Sequence, residues 1–170
     1  MPAFLPDVPE IRGDLADYIF LIQRLDAEVG DLLSALEQSG RLENTIIVMT
    51  SDNGMPFPHA KANLYDYGTH MPLIISSFSN QVQQNKRNDS FVNLIDLTPT
   101  FLDLAGVKNQ PPMDGKSLLP ILRGQTIHHR EEVYLERERH CMARSEFDKG
   151  AGYPMRAIRT RDFLYIVNLR

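Results

Sequence analysis

The chain has 170 residues, 42% of them hydrophobic and 24% charged, with a formal net charge of −4, which is enough apolar mass for one real core. Lysine and arginine are scattered among the acids apart from small groups near Arg137, Arg139 and residues 156–161, so the clustered basic stripe of a nucleic-acid surface is missing, and no run approaches the roughly 18 apolar residues of a membrane span. The single cysteine, Cys141, excludes an internal disulfide and offers no thiolate cluster for zinc.

Pro2, Pro6 and Pro9 predict an extended arm that lacks the basic start and apolar core of a signal peptide. The arm suggests that something precedes this segment in a longer protein. From Asp14 onward Leu15, Tyr18, Ile19, Ile22, Leu25, Val29, Leu32, Leu33 and Leu36 recur at three- and four-residue steps. That period predicts an amphipathic helix with one buried stripe, ended by Ser39-Gly40. The run Thr45-Ile46-Ile47-Val48-Met49-Thr50 is apolar without alternation, which predicts a strand covered on both faces, as in a parallel sheet flanked by helices.

Directly after it stands Ser51-Asp52-Asn53-Gly54. The carboxyl end of a strand in an α/β sheet is where ligands and metals are usually held, and oxygen donors such as Asp52 and Asn53 suit calcium or magnesium better than zinc or copper. The same residues also suit a plain turn.

Residues 54–68, rich in Pro, His, Asn and Tyr, predict a loop, and residues 72–76 a second short strand. Residues 80–90 read as solvated. Thr98-Pro99 predicts an N-cap and a first-turn proline for a helix that stops at Ala105-Gly106. Residues 117–122 predict a short helix and 133–135 a strand. Residues 155–158 and 163–168 predict a hairpin joined at Arg161-Asp162, which needs more strands or a helix to be stable. His59, His70, His128 and His129 lack i, i+4 spacing for a metal and read as exposed loop histidines.

Taken in order, these pieces resemble the sulfatase family, and within it the N-sulfoglucosamine sulfohydrolase (sulfamidase, heparan N-sulfatase) branch. The matching residues are Leu25-Asp26, Gly30, Leu36-Glu37, Gly40, Asn44-Thr45, Ser51-Asp52-Asn53-Gly54, Lys61, Asn63-Leu64-Tyr65, Gly68-Thr69 and Pro72-Leu73. They continue through Asp96-Leu97-Thr98-Pro99-Thr100 and Asp114-Gly115-Lys116-Ser117-Leu118, while Pro56-Phe57-Pro58 and Tyr153-Pro154-Met155-Arg156 are most similar to the sulfamidase branch. The resemblance implies an α/β, alkaline-phosphatase-like fold: part of a doubly wound sheet with helices on both faces, plus the start of a smaller C-terminal antiparallel sheet. Residues 1–125 would be the later half of the catalytic domain and 126–170 the beginning of the C-terminal subdomain.

Carried over by residue, the resemblance implies that Asp52 and Asn53 are calcium (Ca2+) ligands and that Lys61 donates to the sulfate oxygens. A cation and an ammonium are a physically sound way to hold anionic sulfuryl oxygens, although Lys61 by composition alone reads as a solvated loop lysine. Glu138, Arg139 and His140 are expected to face a sulfated sugar or to form a solvated edge of paired charges, and Tyr153 and Arg156 resemble a sugar-recognition loop. The Cys/Ser-x-Pro-x-Arg motif, whose first residue becomes formylglycine in this family, occurs nowhere in the chain. Cys141 is followed by Met-Ala-Arg and does not fit it.

The chain alone is therefore expected to be inactive, and to self-associate through faces left uncovered. Members of the family are usually periplasmic, secreted or lysosomal, and this chain leaves its own compartment open. Two other readings stay open from the residues: a phosphohydrolase or phosphotransferase of the same superfamily, and a non-enzymatic module that binds sulfated glycans or a protein through Arg139, His140 and Arg156.

Overall fold

The computed structural model of the chain describes residues 1–79, 81–138 and 154–169, and they form two compact units. One contains Met1–Val48 with Ile75–Ser79, the other Met49–Ile74 with Asn80–Arg170.

Helix α1 of the first unit spans Pro9–Gln38, 30 residues. It begins five residues before Asp14, inside the segment expected to be extended, because a proline in the first helical turn gives up an N–H that has no partner there. Arg12 is anchored to Asp7 with Nε–Oδ1 2.6 Å and Nη2–Oδ2 2.8 Å. The helix ends as expected at Ser39, followed by Gly40 at φ +68°. No residue of α1 is buried; Phe20 is 64% and Leu32 69% exposed. Periodicity makes a helix amphipathic, but burial requires a covering layer. Helix α1 is about 45 Å long, and among the described residues its unit contributes only parts of two paired strands, β1 (Ile46–Thr50) and β2 (Leu73–Ser77), about 5 Å from strand to strand. For the same reason β1 is not covered on both faces: Met49 and Thr50 are exposed.

One buried site of the second unit is built around Asp96. Asn93 and Asp96 form a capping box over the 3-10 turn Leu94–Asp96, which runs directly into helix α3 (Leu97–Leu104). The cap therefore lies upstream of Thr98, and Pro99 is the third residue of the helix, still within the turn that needs no donor. The fully buried Asp96 carboxylate accepts from Asn93 N at 2.9 Å, Lys116 N at 2.8 Å, Arg130 Nε at 3.1 Å and also Arg130 Nη2. His129 Nε2 lies 3.0 Å from the same carboxylate. Thr100 Oγ1 donates to the Asp96 carbonyl at 2.6 Å and accepts from Leu118 N at 2.8 Å. Gly115 passes so close to Ile95 that a Cβ there would lie 2.7 Å from its carbonyl carbon.

Two sequence motifs 14 residues apart are thereby stitched together, ahead of the short helix α4 (Leu119–Leu122). Burial pushes the Asp96 carboxyl up, but the Arg130 guanidinium, the two amides and His129 outweigh it and hold it at about 2. His129, read from sequence as an exposed loop residue, has a side chain only 6% exposed, because its ring supplies a polar atom to a buried carboxylate.

The C-terminal sheet has the order β3-β4-β5, with β3 spanning Glu132–Arg137, β4 Met155–Thr160 and β5 Leu164–Asn168. Both pairings are antiparallel, with Leu135 opposite Ala157 and Ala157 opposite Ile166. The predicted hairpin turns at 161–162, where Thr160 N donates to Phe163 O at 2.9 Å, and β3 adds the strand it lacks. Alternation puts Leu135, Met155, Ala157, Leu164 and Ile166 on one face, where they pack with Leu64. Tyr134 and Tyr165 stand exposed on the other.

Candidate active-site loop

Where β1 ends, Ser51 Oγ donates to the Asn53 carbonyl at 2.9 Å and closes a tight turn. Asp52 is exposed and Asn53 half-buried, and the Asn53 side-chain amide donates to Asp52 Oδ1. The other end of that amide, Asn53 Oδ1, is buried without a hydrogen-bond partner. An orphaned buried acceptor costs about 1–3 kcal/mol unless something fills its lone pairs. A hard cation would do so, and the adjacent carboxylate supplies charge of the right sign. The donor set fits calcium in kind but not in number: calcium takes about six to eight oxygens, and the described residues contain no cluster of three or more His, Cys, Asp or Glu.

Beyond Gly54 the chain doubles back. A Cβ on Gly54 would overlap the Tyr67 carbonyl oxygen and lie 2.8 Å from Gly68 Cα, and one on Gly68 would overlap the carbonyl oxygens of Ala60 and Asn63. Lys61 N donates to Met55 O at 3.0 Å. These contacts gather residues 53–55, 60–63 and 67–68 into one tight loop, leading into the short helix α2 (Asp66–Thr69). Phe57, Ala60 and Leu64 are its buried anchors, and Lys61 remains exposed between them. His59 and Ala62 carry φ values of +60° and +64°. For alanine the left-handed region is unfavourable by roughly 1–2 kcal/mol, so the loop is over-determined by its surroundings.

The C-terminal sheet supplies part of that support. Leu64 is buried against Met155 and Ala157, Arg137 Nη1 donates to the Ala62 carbonyl, and Arg159 grips Asp66 with Nε–Oδ1 2.9 Å and Nη2–Oδ2 3.1 Å.

The family model described as Sulfatase matches residues 3–107. The chain belongs to the sulfatase family. A second family model, N-sulphoglucosamine sulphohydrolase, C-terminal, matches residues 58–163. Among curated relatives, the N-sulphoglucosamine sulphohydrolase of Homo sapiens is 34% identical over 99% of this chain and 34% of its own length. The Ulvan-active sulfatase of Formosa agariphila is 32% identical over 100% of this chain and 26% of its own length. The chain thus spans about a quarter to a third of these relatives' length. The structure of the phosphonate monoester hydrolase of Agrobacterium radiobacter matches 86% of this chain and 31% of its own, with a TM-score of 0.72 at 24% identity. That likeness concerns the fold, which is α/β of the alkaline-phosphatase-like type.

Of the residues expected to meet a sugar, Glu138 and Arg156 are among the described residues, and they meet each other. Arg156 Nη2 pairs with Glu138 Oε1, and its Nε lies 3.5 Å from Glu136 Oε2. The register sets Arg156 opposite Glu136, on the sheet face turned away from Leu64. Arg139, His140 and Tyr153 lie outside the described residues. Sequence reasoning missed Arg137 and Arg159 as supports of the loop, since their partners are 75 and 93 residues away. The alternation of β3 and β4 could have placed both on the apolar face, where an arginine needs a partner.

Proposed function

We propose that this chain is the later part of the catalytic domain of a sulfatase that hydrolyses a sulfate ester or sulfamate on a glycosaminoglycan-type, N-sulfoglucosamine-like sugar. Residues 1–125 then belong to the α/β catalytic domain and 126–170 to the start of its C-terminal subdomain. The observation that carries this reading is the buried, unpartnered Asn53 Oδ1 beside Asp52, on the same tight loop as exposed Lys61. The name of the human relative supports the choice of sugar.

In this reading Asp52 and Asn53 hold calcium, which when bound neutralises charge on the sulfuryl oxygens. Lys61 binds those oxygens as a flexible point charge. Glu138, Arg139, His140, Tyr153 and Arg156 contact the sugar, with Arg156 oriented by its two glutamates. The chain contains no Cys/Ser-x-Pro-x-Arg motif, and stabilising groups without a nucleophile give no useful turnover.

Calcium titration of the isolated chain, followed at the Asn53 side-chain amide by NMR, tests the cation seat. The expected dissociation constant is about a millimolar, because few of the oxygens are supplied, and Asp52→Ala abolishes the response. No response to calcium, or a tighter one to zinc, counts against the seat. A fluorogenic sulfate with added calcium is expected to give no turnover by this chain; turnover that disappears in Lys61→Ala overturns that expectation.

Self-association is the proposed consequence of the apolar surface on α1 and β1. Light scattering is expected to show a molecular mass that rises with protein concentration and falls towards the monomer in Leu32→Lys. A strictly monomeric wild type at every concentration rules it out.

A further inference from the structure

We infer that Arg137 and Arg159 are positioning residues for Lys61, an inference that rests on reading Lys61 as the sulfate-binding group. The two arginines stand on adjacent strands of one sheet face: Arg137 is opposite Met155, and Arg159 is opposite Val133. Arg137 donates to the carbonyl of Ala62, the residue that follows Lys61. Arg159 clamps both oxygens of the Asp66 carboxylate at 2.9 and 3.1 Å. Leu64, midway between them, is buried on Met155 and Ala157 of the same face. Residues 62–66 are thus held at three alternate positions along their length.

What the clamp opposes is visible in the backbone. Ala62 and His59 bracket Lys61 with φ values of +64° and +60°, a conformation that persists in residues with a Cβ only where the surroundings enforce it. A charged donor on the Ala62 carbonyl fixes that peptide plane, and the bidentate grip on Asp66 fixes the rotation of the segment's other end. Without them Ala62 relaxes to the right-handed or extended region, and the Lys61 side chain departs from the direction set by the loop. Both arginines act on Lys61 through the backbone, and neither needs to touch the sulfate.

The test uses the whole 170-residue chain, with amide exchange read at Lys61, whose N–H is bonded to Met55 O, and inorganic sulfate titrated against the same resonance. Arg137→Met is expected to speed Lys61 exchange about tenfold, as for loss of one hydrogen bond from a charged donor, and to weaken sulfate binding about fivefold. Exchange in α3 and along β4 stays unchanged. Arg137→Lys, which keeps one donor for the carbonyl, recovers most of both effects, and Arg159→Met reproduces them in weaker form. In a Lys61→Ala background Arg137→Met has no further effect on sulfate. Unchanged Lys61 exchange in both methionine variants, or an equal loss of sulfate binding with Lys61 already removed, overturns the inference. Should Lys61→Ala leave sulfate binding untouched, the reading of Lys61 fails, while the exchange measurement still decides whether the arginines hold the loop.

Discussion

Asp96→Ala is expected to lower the stability of the unit containing α3 by about 4 kcal/mol, because it strands the Arg130 guanidinium without its buried counter-charge. Arg130 is held charged by its hydrogen bond to this carboxylate, and the amides of Asn93 and Lys116 lose the same acceptor. The exchange free energy of α3 amides measures the loss directly. Asp96→Asn keeps the shape but not the charge, so its loss is smaller.

The pH dependence follows with a definite sign. Folding lowers the Asp96 pKa from 3.8 to about 2, so between those values the unfolded chain binds more protons and stability rises with pH. The stabilisation, about 2 kcal/mol, is complete above pH 3.8 and is lost as pH falls through about 2. The acid limb of the wild type should therefore be steeper than that of Asp96→Asn. An alanine variant that loses less than about 1 kcal/mol, the range of an exposed pair, with an unchanged acid limb, would show that the hub is not what holds this unit.

Gly54→Ala is the second large effect, with about 3 kcal/mol of local destabilisation expected from forced overpacking. Its Cβ would be driven into the Tyr67 carbonyl and to 2.8 Å from Gly68 Cα, and both obstacles are backbone that cannot swing aside. The loop must open, which separates Asn53 from the Lys61 segment and abolishes the calcium response along with the protection of the Lys61 amide. Gly30→Ala supplies the contrast. Its Cβ has nothing within 4 Å, it lies inside α1, and it should stabilise the helix by about 0.5–1 kcal/mol. Equal behaviour of the two variants in urea denaturation would remove the steric account of the loop.

Much of the architecture was legible along the chain, where the cause is local. The C-cap at Gly40, the stop at Ala105-Gly106 and the hairpin around 161–162 depend on backbone preferences of a few neighbouring residues. The start of α1 and the cap of α3 were displaced for reasons equally local: Pro9 and Pro99 are tolerated throughout a first turn, and Asn93 with Asp96 outcompetes Thr98 as a cap. The reading of Asp52 and Asn53 as cation ligands began from oxygen donors at the end of β1, where a plain turn fits equally, and that of Lys61 came from the resemblance, since composition favours a solvated lysine.

By itself the sequence determined the period of each element, the chemistry of the donors after β1 and the absence of a Cys/Ser-x-Pro-x-Arg motif, because each of these resides in adjacent side chains. Only the tertiary structure decided that Asp96, Lys116 and Arg130 share one buried site, that Gly54 leans on Gly68, and that Arg137 and Arg159 reach the Lys61 loop. Those contacts join residues 14 to 93 positions apart, and no local preference encodes which distant carbonyl or carboxylate will satisfy a buried guanidinium. Burial was decided in the same way: an apolar stripe on α1 specifies what could be covered, and the presence of a second layer determines whether it is.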